Sequence, residues 1–217
     1  MADLAQRYPV PPVLTDPLQL ILWENMGYLI DDQRRATLFD EFGTRVGFSA
    51  RQIQDAESAV LLDIAGRGGM NPAMRVGRWR EIADITLARA GGDLDATLRA
   101  LPLDKARALL KAYPTIGDPG ADKMLLFAGI AARPSLDSNG VRVLARLGYF
   151  IEQKAYGPCY TAAIAALTRH GVLDRDWLVT AYVALREHGK ALCKRSAPLC
   201  MACPMDAACA HAVVSTL

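Results

Sequence analysis

The chain of 217 residues contains no apolar run near the ~20 residues that a bilayer-spanning helix needs. Its longest apolar stretches, such as Met124–Ala132, fall well short of that length. The opening Met1-Ala2-Asp3-Leu4-Ala5-Gln6-Arg7 has no apolar signal-peptide core. A cytoplasmic protein without membrane contact is therefore expected. Charge of one sign is also missing: 25 Lys and Arg stand against 23 Asp and Glu, a net of +2. That balance excludes a uniformly basic nucleic-acid binder, and any surface for a polyanion must be a local patch. There is no low-complexity tract and no repeat of fixed period. No segment alternates apolar and polar residues for four or more positions between turn signals, so no sheet is expected.

What the sequence has is a globular balance, 52% hydrophobic and 22% charged, long enough to bury a substantial core. Apolar residues recur at helical spacing almost throughout. Asp16 and Pro17 are a start signal for a helix running to about Ile30. Asp31 or Asp32 can cap a second helix ending at Gly43, and Ser49 a third. Glu57–Ala65 ends at Gly66, and Gly66–Gly69 reads as a loop. Met74–Ala90 places Val76, Trp79, Ile82, Ala83 and Leu87 on one stripe and stops at Gly91-Gly92. Asp93 starts Leu94–Ala100, and Pro102–Tyr113 follows. Many short helices with short connections predict an all-α orthogonal array.

The cysteines are few and uneven. Cys159 stands alone, while Cys193-x6-Cys200-x2-Cys203-x5-Cys209 falls in the last 25 residues. In a cytosolic chain such clustering favours a metal or cluster over disulfides. Four thiolates can enclose one tetrahedral zinc or one [4Fe–4S] cube. Only one pair here has the short knuckle spacing of structural zinc, and the wider loops, stiffened by Pro198 and Pro204, suit a larger inorganic core.

This cysteine pattern, with His188-Gly189-Lys190-Ala191-Leu192-Cys193 leading into it, resembles the C-terminal cluster loop of the helix-hairpin-helix DNA glycosylases of the endonuclease III and adenine glycosylase type. The resemblance implies a [4Fe–4S] cluster on Cys193, Cys200, Cys203 and Cys209. It also implies contacts from Lys194 and Arg195, in the first cysteine loop, to DNA phosphates. Cys159 fits none of the spacing and reads as a buried thiol.

Two further stretches carry the resemblance. In Tyr113-Pro114-Thr115-Ile116-Gly117-Asp118-Pro119-Gly120, Gly117 is suited to a positive φ and to close backbone approach. Asp118 is suited to cap the next helix, with Pro119 at its first position. A helix start of this kind can hold a phosphate through backbone N–H groups. The stretch is similar to the family's hairpin, which makes Thr115, Ile116, Gly117 and Gly120 the expected backbone-binding residues. The second stretch, Leu136-Asp137-Ser138-Asn139-Gly140-Val141-Arg142-Val143-Leu144-Ala145-Arg146-Leu147, looks like the family's catalytic-aspartate segment. Asp137 maps onto that aspartate, and the residue type would also serve as an N-cap. Breaking an N-glycosidic bond builds positive charge on the sugar, and a nearby carboxylate both stabilises that charge and activates the attacking water.

Glu24, in Asp16-Pro17-x5-Trp23-Glu24-x-Met26, resembles the glutamate that protonates the base in adenine glycosylases. Apolar neighbours would raise its proton affinity. The glutamines that follow it in those enzymes are replaced by Tyr28, Leu29 and Ile30. Where bifunctional relatives carry a Schiff-base lysine, this chain has Pro119, and Lys123 lies four residues on, one helical turn away.

The resemblance thus implies a two-domain, all-α helix-hairpin-helix DNA glycosylase fold with a C-terminal [4Fe–4S] loop. Residues 21–132 would form the six-helix domain, and 1–20 with 133–217 the cluster domain. The implied function is base excision repair: a monomer that flips a damaged or mispaired base out of double-stranded DNA and releases it with water activated by Asp137, in the nucleoid if the source is bacterial. Two alternatives stay open, a bifunctional glycosylase/lyase using Lys123 and a non-catalytic iron–sulfur DNA-binding protein. A zinc module on unrelated helices is a more distant one.

Overall fold

The computed structural model describes residues 1–169, 171 and 174–215. Among the described residues the secondary structure is entirely helical: α1 (Ala2–Arg7), α2 (Pro17–Glu24), α3 (Asp32–Arg45), α4 (Ala50–Asp55), α5 (Ser58–Arg67), α6 (Pro72–Ala90), α7 (Leu94–Ala100), α8 (Leu103–Leu110), α9 (Asp118–Phe127), α10 (Ser138–Arg146), α11 (Tyr156–Thr168), α12 (Arg175–Ala191) and α13 (Ala210–Ser215). Single 3₁₀ turns lie at Cys200–Ala202 and Asp206–Ala208.

The capping chemistry read from the sequence positions most starts. Asp16, Asp31, Asp93, Asp137 and Asp174 each accept a backbone N–H three residues on, and Ser49 with Gln52 closes a capping box. α6 begins two residues before the expected Met74, at Pro72, and Gly91 ends it in the left-handed region at φ 58°. α3 continues past Gly43 to Arg45, and α5 past Gly66 to Arg67. α2 stops at Glu24 rather than running to Ile30. Asn25 turns its side-chain amide back onto the Ile21 carbonyl, and Leu29 takes a φ of 56°, which a continuing helix excludes.

The chain divides into two compact units, Leu14–Ile130 and Met1–Val13 with Ala131–Leu217. The first division falls ahead of α2, so that this helix, through which the expected boundary at residues 20 and 21 would pass, stays whole. The continuous unit is centred on Trp79 of α6, which is fully buried, meets Phe42 edge to face at 4.9 Å and donates its indole N–H to the Asn25 carbonyl. The discontinuous unit packs α10 against α12 and buries Leu4 of α1 with Leu136, Val141, Leu144, Cys159 and Leu185. Gly189 makes this crossing possible. A Cβ there would stand 2.7 Å from that of Asn139.

Candidate active site and cysteine pocket

Asp137 is the N-cap of α10. Its Oδ1 accepts the Gly140 N–H at 2.8 Å, the N-cap bond, and its Oδ2 accepts from the Asn139 side-chain amide at 2.8 Å. The Arg186 guanidinium of α12 stands 3.7 Å from Oδ2. The carboxylate is therefore oriented from three sides while remaining partly accessible. Burial, and behind it the charge of Asp137, push the Tyr156 phenol up, so an aromatic hydroxyl shares the same electrostatic neighbourhood.

One and two turns along α10, two arginines tie this helix to the cysteine loop. Buried Arg142 donates to the Cys193 carbonyl at 3.0 Å, and to the Gly189 carbonyl and Asn139 Oδ1 at 2.8 Å each. Burial pushes its guanidinium down. Arg146 donates to the Lys194 carbonyl at 2.7 Å, to the Arg195 carbonyl at 3.0 Å and to Cys193 Sγ at 3.4 Å. Leu199 N–H closes the loop on the Leu192 carbonyl at 2.9 Å. The loop backbone is thus pinned from inside, and the Lys194 and Arg195 side chains are exposed.

Cys193, Cys200, Cys203 and Cys209 all line one pocket, walled by apolar side chains that include Val143, Leu147 and Leu192. None of the four is in a disulfide. Among the described residues, no three His, Cys, Asp or Glu side chains are close enough together to hold a single ion. Besides the Arg146 contact to Cys193, Cys203 Sγ accepts the Met205 N–H at 3.4 Å and lies 3.6 Å from His188 Nε2. Burial pushes the Cys203 thiol up, against that N–H, and pushes the His188 imidazole down, with Arg7 adding to it. Cys159 is buried as expected but is not merely packed: its sulfur accepts the Gln153 N–H at 3.0 Å and donates to the Gln153 carbonyl at 3.1 Å.

In the continuous unit the hairpin departs from the expected backbone. Gly117 is extended, at φ −93° and ψ −167°, and Thr115 holds the left-handed position at φ 67°. A β-branched residue there is strained. Its hydroxyl donates to Asn25 Oδ1 at 3.2 Å, while the Asn25 amide donates to the Pro114 carbonyl at 3.1 Å, so the turn is clamped to the end of α2. Ile116 is buried, and a Cβ on Gly120 would press on it at 3.3 Å. Gly117 rather than Asp118 is the N-cap of α9. The Asp118 carboxylate, freed from capping, binds Lys111 at 2.7 Å and Arg107 at 2.9 Å, and the Lys111 hydrogen bond holds it below the usual carboxylate range. An anion approaching this helix start therefore meets a carboxylate flanked by two cations.

Glu24 is not isolated among apolar side chains, as the sequence suggested. Lys123 Nζ lies 2.6 Å from its Oε1, with the two side chains 14% and 32% exposed for Lys123 and Glu24. The same ammonium stands 5.7 Å from the centre of the Phe127 ring. Two residues proposed for separate tasks are one ion pair. They belong to the continuous unit, and Asp137 belongs to the other.

A feature the sequence reading missed adjoins that pair along the chain. The Tyr28 N–H donates to the Gly68 carbonyl at 3.0 Å and joins the loop after α2 to the loop before α6. Gly69, at φ 95°, permits the approach, since a Cβ would lie 2.4 Å from the Tyr28 carbonyl oxygen. The joined loops hold Leu29, Met70 and Tyr28 outward, 81%, 63% and 57% exposed. Leu29 and Asn71 both occupy the left-handed region. The available signal was the run Tyr28-Leu29-Ile30, apolar residues beyond a helix end with no polar face to balance them.

No family model and no curated protein sequence matches the chain. Solved structures do. An endonuclease III trapped in a covalent intermediate with DNA has a TM-score of 0.78 at 15% identity, over 100% of this chain and 95% of that one. A non-covalent endonuclease III–DNA complex gives 0.76 at 16%, over 99% and 94%. A thermostable thymine-DNA glycosylase gives 0.74 at 16%, over 93% and 86%.

The chain has the endonuclease III fold. Arg186 and Tyr156 beside Asp137, and Lys111 with Arg107 at the hairpin, are the residues that sequence reading left out. Arg186 becomes visible only when helices distant in sequence are packed together.

Proposed function

We propose that this protein is a DNA N-glycosylase of base excision repair, a helix-hairpin-helix enzyme that flips a damaged or mispaired base out of duplex DNA and releases it with water. The observation that carries this reading is Asp137, a carboxylate capped, oriented and left partly open at the start of α10, within a fold shared with DNA glycosylases. The bond that breaks joins C1′ to the base nitrogen. Asp137 stabilises the positive charge that develops on the sugar and orients the water that adds to C1′, leaving an abasic site. Glu24, which the resemblance makes the acid that protonates the base, is held by Lys123 within the continuous unit.

Backbone binding falls to the hairpin around Thr115, Gly117 and Gly120, with the Ile116 N–H held by the Tyr113 carbonyl and Lys111 and Arg107 nearby, and to Lys194 and Arg195 on the pinned loop. Leu29, Met70 and Tyr28 fill the gap that the flipped base leaves, as apolar wedges do elsewhere. Cys193, Cys200, Cys203 and Cys209 hold a [4Fe–4S] cluster. The fit is supported by four cysteines lining one apolar pocket, with N–H donors to two of the sulfurs. Bound there, the cluster would serve as a structural crosslink that fixes the loop.

A second reading, a glycosylase that also cleaves the strand, is favoured by one contact. Glu24 is a base within hydrogen-bonding reach of Lys123, whose amine must lose a proton before it can attack C1′. The deciding experiment is a panel of duplexes carrying different lesions and mismatches, incubated with the iron-loaded protein and scored with and without alkali and with borohydride. The water reading predicts strand breaks after alkali alone and no covalent trapping. Trapping that disappears in Lys123→Ala establishes the second reading. Tight binding without base release on every duplex overturns both.

A further inference from the structure

His188 stands in the last turn of α12, 2% exposed, with its ring forming part of the cysteine pocket. Its two nitrogens have different surroundings. Nε2 lies 3.6 Å from Cys203 Sγ, while Nδ1 is buried without a hydrogen-bond partner. A second buried polar atom without a partner, the Tyr8 hydroxyl, belongs to a ring packed against this one. The Tyr8 ring stands edge-on to the imidazole, with centroids 6.0 Å apart. Buried polar atoms are rarely left unpaired, so the protonation of the imidazole calls for an explanation.

A cysteine sulfur that ligates iron is a thiolate and has no proton to give. In a contact between that sulfur and an imidazole nitrogen, the hydrogen must come from the ring, so Nε2 carries it. A neutral ring has only one such proton, which makes Nδ1 an acceptor. We infer that His188 donates a hydrogen bond from Nε2 to the Cys203 sulfur of the bound iron–sulfur cluster, and that this bond sets the reduction potential of the cluster. The inference rests on the [4Fe–4S] reading above. Cys203 then receives two donors, Met205 N–H and His188. A donor to a ligand sulfur offsets negative charge and favours the more reduced cluster, raising its potential.

The test uses the protein purified with its cluster, and iron is measured first. Protein without iron overturns the cluster reading and this inference with it. With iron present, His188→Phe keeps the ring volume and removes the donor. It should retain its iron while the reduced-to-oxidised ratio at a fixed poise falls about tenfold, equivalent to 59 mV for a one-electron couple. His188→Gln, which restores an amide donor, should recover part of the shift. Wild-type potential in iron-replete His188→Phe overturns the inference and leaves the cluster reading intact. If His188→Phe loses its iron, protein bearing ¹⁵N-histidine decides. His211→Asn removes the other imidazole lining the pocket, and hyperfine coupling from ¹⁵N to the paramagnetic cluster should persist in that background. Its absence there overturns the inference.

Discussion

Replacing Asp137 by Asn separates the two roles this residue can have, because the structure predicts different magnitudes for each. The cap survives: Asn and Asp are equivalent at this position, so the bond to Gly140 N–H is kept at a cost under about 0.5 kcal/mol. The other oxygen becomes an amide donor facing the Asn139 amide and Arg186. That mismatch costs roughly 1 kcal/mol, and the lost attraction to Arg186, a partly exposed pair, less than about 1 kcal/mol. Folding should weaken by about 1–2 kcal/mol, which leaves the fold intact. Catalysis should suffer far more. An anion removed from a developing cationic centre costs roughly 10²–10⁴ in rate, about 2.7–5.4 kcal/mol. Single-turnover base release with protein in excess measures the rate, a gel shift on the same duplex measures binding, and urea unfolding measures stability. Asp137→Ser, which caps but has no charge, should resemble Asn in rate. Release by Asp137→Asn within threefold of wild type would refute the catalytic assignment and leave a capping residue.

The Glu24–Lys123 pair should behave as a unit: Glu24→Gln and Lys123→Met each destabilise by about 1–2 kcal/mol, while the double variant loses less than their sum by at least about 0.5 kcal/mol. Strict additivity in urea unfolding would break that unit apart. Neutralising Lys194 and Arg195 should weaken binding to all DNA sequences alike and flatten the plot of log K against log salt by about one unit per lost phosphate contact. An unchanged slope removes the loop from the DNA surface. Cys203→Ser should discard the iron, whereas Cys159→Ser, whose sulfur hydrogen-bonds to Gln153 in the core, should retain it. Hydrogen bonds from Arg67 and then Arg45 lower Glu41 from 4.5 to about 2. Its contribution to stability is therefore complete above pH 4.5 and is lost as the pH falls toward 2. Glu41→Gln should flatten the acid limb of melting temperature against pH in that interval, and high salt should mimic it.

The all-helical class and most helix starts were legible in the sequence, because an N-cap is local chemistry: Asp93, Asp137 and Ser49 act within three residues of themselves. The cysteine spacing was equally direct, and all four sulfurs line one pocket. The hairpin was half legible. That a turn lies between Tyr113 and Asp118 followed from Pro and Gly, but which residue takes the left-handed conformation depended on Asn25, some 90 residues away in sequence, clamping Thr115. The partnership of Glu24 with Lys123 and that of Asp137 with Arg186 were illegible for the same reason. No periodicity encodes an ion pair between distant helices, so a carboxylate expected in apolar surroundings can face a cation instead.

The order of the chain in the two units has a consequence for biogenesis. Leu14–Ile130 is an unbroken stretch, so everything its core needs is synthesised before the second half of the discontinuous unit is complete. The first helix waits. Leu4, 1% exposed in the finished protein, has no site to occupy until α10, α11 and α12 exist, and Tyr8 none until His188 does. Closure of that unit is a long-range event, slow by its topology, and it follows formation of the other. Deletion of α1 would therefore expose the apolar groove that Leu4 fills. In cells the result should be chaperone retention and proteolysis of the C-terminal helices.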